Sequence, residues 1–263
     1  TDGTKLRAVA ARAAELGKPI VMIKIGRTEA GARAAASHTG AITGSDAVFD
    51  AAARQIGILR ATDSSELYEA AMLLHGGKLP GGRRAAAMSI SGGNLVLMAE
   101  IGATLGLEFP GYTEETLAAL RPLLPGFMGA TNPTDLSAGA IGQKDLFGRV
   151  ARTVLDDVNV DTLVPVVTFA PKADIRATAD LAAASSKPVP ILWTGKCSDD
   201  PALTPAVLVA EGHAVYRDVL PCLRAVDHAA RNAAFQSRRT RPAPQRPGGI
   251  DAPAARRLLD GLG

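Results

Sequence analysis

The sequence predicts an α/β protein built on parallel sheets, and three observations carry that expectation. Short apolar runs at 20–25, 84–90, 162–168 and 189–193 read as buried strands. Helical stretches separate them, the alternation expected of crossover helices on a parallel sheet. Glycine, proline or an N-capping residue punctuates nearly every junction. The right-handed crossover rule leaves few other ways to wind such a chain.

Residues 4 to 16 set Leu6, Val9, Ala10, Ala13 and Leu16 on one helical stripe, and Gly17-Lys18-Pro19 stops it. The strand 20–25 follows, then a long small-residue stretch from Gly26 to Gly44. Ser45-Asp46 starts a helix through Gln55, Gly57 ends it, and Ile58-Leu59-Arg60 is a short strand. Asp63, with Glu66 three residues on, is a capping pattern for a helix running through Leu74. Two strands do not make an independently stable sheet. Further strands from upstream, or another domain over the edge, are therefore expected.

Lys78-Leu79-Pro80-Gly81-Gly82 reads as a linker, and the pattern restarts after it. Arg84–Ile90 is a strand, Ser91-Gly92-Gly93 a tight turn, Asn94 through Leu105 an apolar helix closed by Gly106, and Leu107–Phe109 a short strand. Thr113-Glu114-Glu115 caps a helix to Leu120, and the stretch from Pro122 to Gly142 reads as irregular. Helix 144–156, strand 162–168, helix 173–185, strand 189–193, helix 204–210, strand Ala214–Tyr216 and a helix from Asp218 to Gln236 complete a doubly wound unit of five strands. Ser237 to Gly249 reads as an Arg- and Pro-rich linker. Ile250 to Gly263, with Ala254, Ala255, Leu258 and Leu259 on one side, reads as the first helix of a further domain. The expected divisions are 1–79, 80–236 and 237–263.

Composition excludes several classes. Lys+Arg 29 against Asp+Glu 26 is too even a balance for nucleic acid, and much of the excess sits in Arg238, Arg239, Arg241 and Arg246 of the tail. Aromatics at 4% leave a core of Ala, Val, Leu and Ile. Cys197 and Cys222 have no metal-ligand spacing, so no metal site is expected and a reduced, cytoplasmic setting is the default. No run approaches the roughly 20 apolar residues of a membrane span, and no basic-then-apolar leader opens the chain. The chain begins at Thr1-Asp2-Gly3 without Met and reads as a piece of a longer polypeptide.

Chemistry concentrates in two stretches. GRTEAGARAAASHTGAITG at 26–44 supplies Gly26, Gly31, Gly40 and Gly44, a row of alanines and one histidine, His38. Bulky apolar residues are nearly absent, so the stretch reads as a supple loop with glycine hinges presenting an imidazole. A surface histidine without chemistry is the alternative. Ser91-Gly92-Gly93-Asn94, between a strand and an apolar helix, leaves backbone N–H groups at a helix start suited to an anion. The same glycines serve a purely steric turn equally well. Asn132-Pro133-Thr134-Asp135 is either a turn or part of a pocket. His75 suits the carbonyl end of a helix, and neither His213 nor His228 has an acidic or cysteine partner at metal spacing.

Together, KPIVMIKIGRTEAGARAAASHTGAITGSDAVFDAAARQIGILR, SISGG and NPTDLS, in that order, resemble the NDP-forming acyl-CoA synthetases, relatives of succinyl-CoA synthetase. The resemblance covers residues 1 to about 236, with the tail similar to the entry of an ATP-grasp domain. It implies two flavodoxin-like (succinyl-CoA synthetase-like) parallel-sheet units, the first incomplete. It also implies a reversible reaction of carboxylic acid, CoA and ATP (or GTP) with Mg2+ to acyl-CoA, NDP and phosphate. In the family an acyl phosphate passes its phosphate to a loop histidine, which exchanges it with the nucleotide. His38 matches that histidine, and Ser91, Gly92 and Gly93, with Asn94, match one of two helix starts that hold the phosphate. Asn132 and Asp135 match a motif near the same pocket. The CoA-binding domain, the second phosphate-holding helix and the glutamate that orients the histidine would lie before Thr1, and the ATP-grasp domain after Gly263. The implied partners are those domains, in the same polypeptide or in partner chains of an oligomer. A non-catalytic CoA- or nucleotide-sensing module of a protein acyltransferase is the rival reading. A flavodoxin-like domain for some other phosphate ligand is a third.

Overall fold

The computed structural model describes residues 2–39, 44–125, 129–143, 145–168, 172–195 and 200–240. Helix α1 (Gly3–Glu15) starts on Asp2, whose carboxylate accepts from the N–H groups of Thr4 and Lys5. Of its expected stripe, Ala10 is buried, whereas Val9 and Leu16 are exposed. Strands β1 (Ile20–Ile23) and β2 (Ile58–Ala61) form a two-stranded parallel sheet with Ile20 opposite Ile58. Between them run α2 (Glu29–Thr39) and α3 (Asp46–Ile56). Ser45 caps α3 by accepting from Val48 N, and Gly57 ends it at φ +78°, a left-handed conformation that favours glycine. Helix α4 (Ser64–His75) follows, with the Asp63 carboxylate accepting from Glu66 N.

The second sheet holds β3 (Ala85–Ser89), β4 (Thr134–Asp135), β5 (Thr162–Val167), β6 (Ile191–Trp193) and β7 (Val215–Tyr216). All neighbours are parallel, in the order β4-β3-β5-β6-β7. The other helices are α5 (Gly92–Thr104), α6 (Glu114–Leu120), α7 (Leu146–Asp156), α8 (Lys172–Ala184), α9 (Pro205–Ala210) and α10 (Val219–Thr240).

Side chains alternate across this sheet, so both faces are buried. Met88, Leu163, Val167, Ile191 and Trp193 face one core, shared with Leu120, Val150, Val154, Ile175 and Leu208 of α6 to α9. Ala87, Val164, Val166 and Leu192 face the other, with Leu95 and Met98 of α5, Leu73 and Leu74 of α4, and Cys222, Leu223 and Val226 of α10. Leu59 of β2 joins that same core, so α4 and α10 lie between the two sheets. The expected α/β architecture with parallel sheets, the first of two strands among the described residues, is present.

Three expectations give way. The stretch 26–44 is not a loop throughout: Glu29–Thr39 is helical. Ala30, Ala32, Ala34, Ala35 and Ala36 explain it, because alanine is the strongest helix former even where, as here, only Ala35 among them is buried. Among the described residues Leu107–Phe109 makes one parallel bridge, Arg84 with Glu108, and the edge strand is Thr134–Asp135, inside the stretch read as irregular. Asn132 accounts for the gap between them. Its side-chain oxygen accepts from Ala87 N at 3.3 Å, and its Nδ2 donates to Ala85 O at 2.9 Å and Pro110 O at 3.0 Å. A carboxamide thus fills the place of a strand peptide on the β3 edge. The linker 78–82 is also fastened: Lys78 Nζ donates to Ala182 O and Ala183 O at the end of α8. Of the tail, 237–240 continue α10, and the rest lies outside the described residues.

Candidate active site

His38 stands exposed in the last turn of α2. It lines an open cavity of about 530 Å³ at the carboxyl end of β1, with Lys24, Gly26, Arg27, Thr28, Gly31 and Thr62 among the other walls. Gly26, at φ +72°, turns the chain out of β1, and Thr28 Oγ1 caps the start of α2 by accepting from Gly31 N at 3.1 Å. Gly31 is therefore helical rather than a hinge in a loop. A Cβ there would meet Thr28 Oγ1 at 3.3 Å and Gly26 Cα at 3.5 Å, so its smallness serves close packing. Gly44 is exposed and a Cβ there would meet nothing within 4 Å, and Gly40 lies outside the described residues.

A charged cluster backs this groove. Arg60 of β2 donates to Asp46 Oδ1 at 2.7 Å and Asp50 Oδ1 at 2.9 Å, pinning the start of α3 to the sheet. Lys24 and Arg27 each approach Asp46 at 3.9 Å. The Phe49 ring lies under Lys24 Nζ at 5.8 Å and the Arg60 guanidinium at 5.4 Å. Burial works against the Arg60 charge, but the hydrogen bonds to the two aspartates outweigh it and hold the pKa above its ordinary value.

The second constellation lies at the carboxyl ends of β3, β4, β5 and β6. Ser91 occupies the N-cap of α5 without a side-chain cap bond, and its N–H donates to Ser89 Oγ at 3.0 Å. Asn94 Nδ2 donates to both Thr168 Oγ1 and Thr194 Oγ1 at 3.3 Å, and the two hydroxyls are 2.9 Å apart. These bonds tie the first turn of α5 to the ends of β5 and β6. Asp135 Oδ1 accepts from Ser137 N at 2.7 Å, while its Oδ2 lies 2.9 Å from where a Cβ on Gly92 would stand. Gly93 has nothing within 4 Å of a Cβ, so its side of the helix start is open.

The chain runs from β3 outward to β4, then returns across β3 to begin the other half with β5. That reversal is a topological switch point, and open α/β sheets bind ligands outside the carboxyl ends of the strands there. Ser91, Gly92, Gly93, Asn94 and Asp135 are thus gathered at one crevice, while Asn132 is spent on the sheet edge. Sequence reasoning missed Thr168 and Thr194; their signal was position, at the carboxyl ends of apolar strands. It also missed Lys24 and Arg27 beside His38.

The structure does not bring His38 to this crevice. Its groove includes none of Ser91 to Asn94, and among the described residues no hydrogen bond or ion pair joins them. His228, with no acidic or cysteine partner at metal spacing in the sequence, finds a carboxylate in space: its Nε2 is 2.9 Å from Glu66 Oε1, and both residues are buried. No group of three or more His, Cys, Asp or Glu suited to a metal occurs among the described residues. Cys222 is buried, which raises its thiol pKa, and Cys197 lies outside the described residues.

Counted from β3, the order 2-1-3-4-5 with a crevice at its switch point defines a flavodoxin-like α/β module. Comparison with known proteins narrows this class. Residues 1–74 match the family described as succinyl-CoA ligase like flavodoxin domain. Over 165 residues the chain is 37% identical to the alpha subunit of the ADP-forming acetate–CoA ligase II of Pyrococcus furiosus, spanning 63% of this chain and 35% of that protein. Over 179 residues it is 32% identical to the ADP-forming acetate–CoA ligase I of Archaeoglobus fulgidus, spanning 68% of this chain and 25% of that protein. Among solved structures, the dinucleotide forming acetyl-coenzyme A synthetase 1 of Ca. Korarchaeum cryptofilum, in complex with phosphate and ADP, superposes with a TM-score of 0.79 at 28% identity. That match covers 92% of this chain and 53% of that one. The resemblance to NDP-forming acyl-CoA synthetases therefore holds at the level of sequence and of fold. The chain spans only about a quarter to a third of these curated relatives' length.

Proposed function

We propose that this chain is the phosphohistidine-bearing part of an NDP-forming acyl-CoA synthetase, with His38 as the phosphoryl carrier. The reaction is carboxylic acid, CoA and NTP to acyl-CoA, NDP and phosphate, and it runs in both directions. The observation that carries the reading is an exposed imidazole in the SHTG motif, set on a groove walled by two cations, in a chain similar to ADP-forming acetate–CoA ligases. That similarity favours turnover over the sensor reading.

The chemistry asked of His38 is phosphoryl transfer, in which the protein mainly positions groups and stabilises charge. In the NTP-forming direction, phosphate displaces the CoA thiolate from acyl-CoA to give an acyl phosphate, and a ring nitrogen with a free lone pair attacks its phosphorus. The N–P bond forms as the P–O bond to the acyl oxygen breaks, and the carboxylate leaves with the electron pair. The ring is first an imidazolium and then loses the proton on its other nitrogen. In the second half a terminal oxygen of NDP attacks phosphorus, the N–P bond breaks and NTP is released.

Ser91, Gly92, Gly93 and Asn94 would support the phosphate during transfer. The helix start favours an anion, and the approach is from the open Gly93 side, since the Asp135 carboxylate occupies the Gly92 side. The bonds from Asn94 to Thr168 and Thr194 hold that turn rigid. His38 would travel between the groove and this crevice, with Gly26, Gly40 and Gly44 as hinges. The units 1–79 and 80–236 would act with CoA-binding and ATP-grasp domains, in cis or in partner chains of a cytoplasmic oligomer. ATP or GTP with Mg2+ would be held mainly by those other domains.

The test is to incubate the complete polypeptide that carries this sequence with labelled ATP and Mg2+. Acid-labile label on His38, absent from His38→Ala, is expected. Acid-labile label that survives this substitution would falsify the assignment.

A further inference from the structure

The charges behind the His38 groove do not balance. Asp46 and Asp50 face Lys24, Arg27, Arg54 and Arg60, so among the described residues two carboxylates serve four cations. Arg60 takes the short contacts to both aspartates, at 2.7 and 2.9 Å, and Arg54 pairs with Asp50. Lys24 and Arg27 are left at 3.9 Å from an Asp46 already engaged by Arg60. Both line the cavity that His38 lines. On the same helix, Arg33 is matched by Glu29 and does not wall the cavity. The surplus is thus local to the groove, and it calls for an anion there.

We propose that this groove is a docking site for the phosphoryl group carried on His38, neutralised by Lys24 and Arg27, and separate from the crevice at Ser91–Asn94. The inference rests on the phosphohistidine reading of His38 and adds a resting place for the charged carrier. Phosphorylation places a multiply charged group at the mouth of the cavity. Arg27, 43% exposed in its side chain and, among the described residues, paired with Asp46 at a long 3.9 Å, can offer a two-pronged contact to phosphate oxygens. Lys24 is 13% exposed, already in place, and contributes a fixed positive charge. Arg60 stays with the aspartates and keeps the start of α3 anchored to β2. The surplus charge of the groove therefore lowers the free energy of the phosphorylated state of His38 relative to the free one.

The readout is an equilibrium. The complete polypeptide is poised with Mg2+ at a series of ATP to ADP ratios, and the fraction of acid-labile label on His38 is measured at each. Arg27→Gln and Lys24→Gln are expected to require a ratio higher by about fivefold for half-phosphorylation, and the shift should shrink as salt screens the charges. Arg27→Lys should recover part of the shift, and Arg33→Gln should leave the midpoint alone. Arg27, half-exposed, carries the test if Lys24→Gln does not fold. Midpoints within about twofold of wild type for the foldable variants would overturn the docking site while leaving His38 as carrier. Wild-type protein that takes no label on His38 at any ratio would overturn both.

Discussion

His228 Nε2 lies 2.9 Å from Glu66 Oε1, joining α10 to α4 across 162 residues of sequence. The other oxygen of Glu66 accepts from Thr62 N at 2.8 Å and from Thr62 Oγ1, and Thr62 is a wall of the groove that holds His38. Side chains of Glu66 and His228 are only 9% and 4% exposed. Glu66→Ala strands His228 in a buried setting and removes the acceptor of the exposed Thr62. The expected loss is about 3–5 kcal/mol, the usual cost of removing one member of a buried pair. Urea unfolding of the variant beside wild type checks it. A loss under about 1 kcal/mol would mean that the pair is not part of the folded state's support.

The same carboxylate sets a pH dependence. Burial raises the Glu66 pKa, but hydrogen bonds from Thr62 and His228 outweigh it and leave the value below the ordinary 4.5. Burial likewise opposes the charges of Asp157 and Asp161. Their hydrogen bonds, from Thr116, Asn159 and Thr113 in one case and from Arg84 in the other, hold both below 3.8. A carboxyl group with a depressed folded pKa contributes stability that is complete above its unfolded value. That contribution disappears as pH falls through the folded value. Wild type should therefore lose stability steadily once pH drops below about 4.5. Glu66→Gln should start lower and show a shallower fall. Unfolding free energies across this range, with equal slopes in the two proteins, would contradict the linkage.

Local signals were legible because they act locally. Ser45, Asp63 and Thr113 accept from the N–H groups of Val48, Glu66 and Thr116, as their spacing implied. The apolar strands were equally plain, since burial on both faces needs only an unbroken run. The row of alanines misled, because small residues suit a loop or a helix alike and nothing nearby in sequence decides. Glu66 has the spacing of half a capping box, yet its carboxylate goes to Thr62 and His228, and the latter contact exists only once α4 and α10 meet. Asn132 was legible as special but not for its use, since no local pattern shows that a side chain completes a sheet edge. The gathering of Asn94, Thr168, Thr194 and Asp135 likewise follows from strand order, which a single sequence does not print.

Asn132 separates donor from acceptor roles. Its oxygen accepts from Ala87 N, and its amide nitrogen donates to Ala85 O and Pro110 O. Asn132→Asp keeps the shape and the acceptor but sets an anion against two carbonyl oxygens. Asn132→Ala only leaves the three groups unpaired. Aspartate is expected to be the worse substitution, with losses of about 2–4 kcal/mol for alanine and more for aspartate, on the scale of buried unpaired polar groups. The gap should close as acid protonates the aspartate. Chemical unfolding at neutral and acidic pH measures it, and a more stable aspartate variant at neutral pH would contradict the bonding pattern.

Gly57 faces two demands at once. Its φ of +78° is unfavourable for a side chain, and a Cβ would fall 2.2 to 2.4 Å from the Phe235 ring of α10. Gly57→Ala should cost about 1–2 kcal/mol for the backbone conformation and more for the clash. Phe235→Ala opens the space but leaves φ unchanged. The double variant should therefore be more stable than the sum of the single losses implies, by at least about 1 kcal/mol. Additive losses in a double-mutant cycle would mean that the ring does not lie on Gly57.

Gly92 tests the helix start at the switch point in a similar way, with a functional arm. A Cβ there would stand 2.9 Å from Asp135 Oδ2, so Gly92→Ala must displace that carboxylate. Helix propensity itself favours alanine by up to about 1 kcal/mol, so the steric cost will be partly offset. Asp135→Ala removes the obstruction, and thermal unfolding should show Gly92→Ala better tolerated in that background. Turnover should behave differently. If the N–H groups of α5 hold the phosphate, a methyl group at 92 crowds the anion whether or not Asp135 is present. Gly92→Ala should then slow acyl-CoA formation by the complete polypeptide in both backgrounds, by about tenfold if about 1.4 kcal/mol of stabilisation is lost. Restored stability together with restored turnover in the double variant would show that the glycine only makes room for a carboxylate. The anion would then have to be held elsewhere in the crevice, with the start of α8, just after β5, the next place to look.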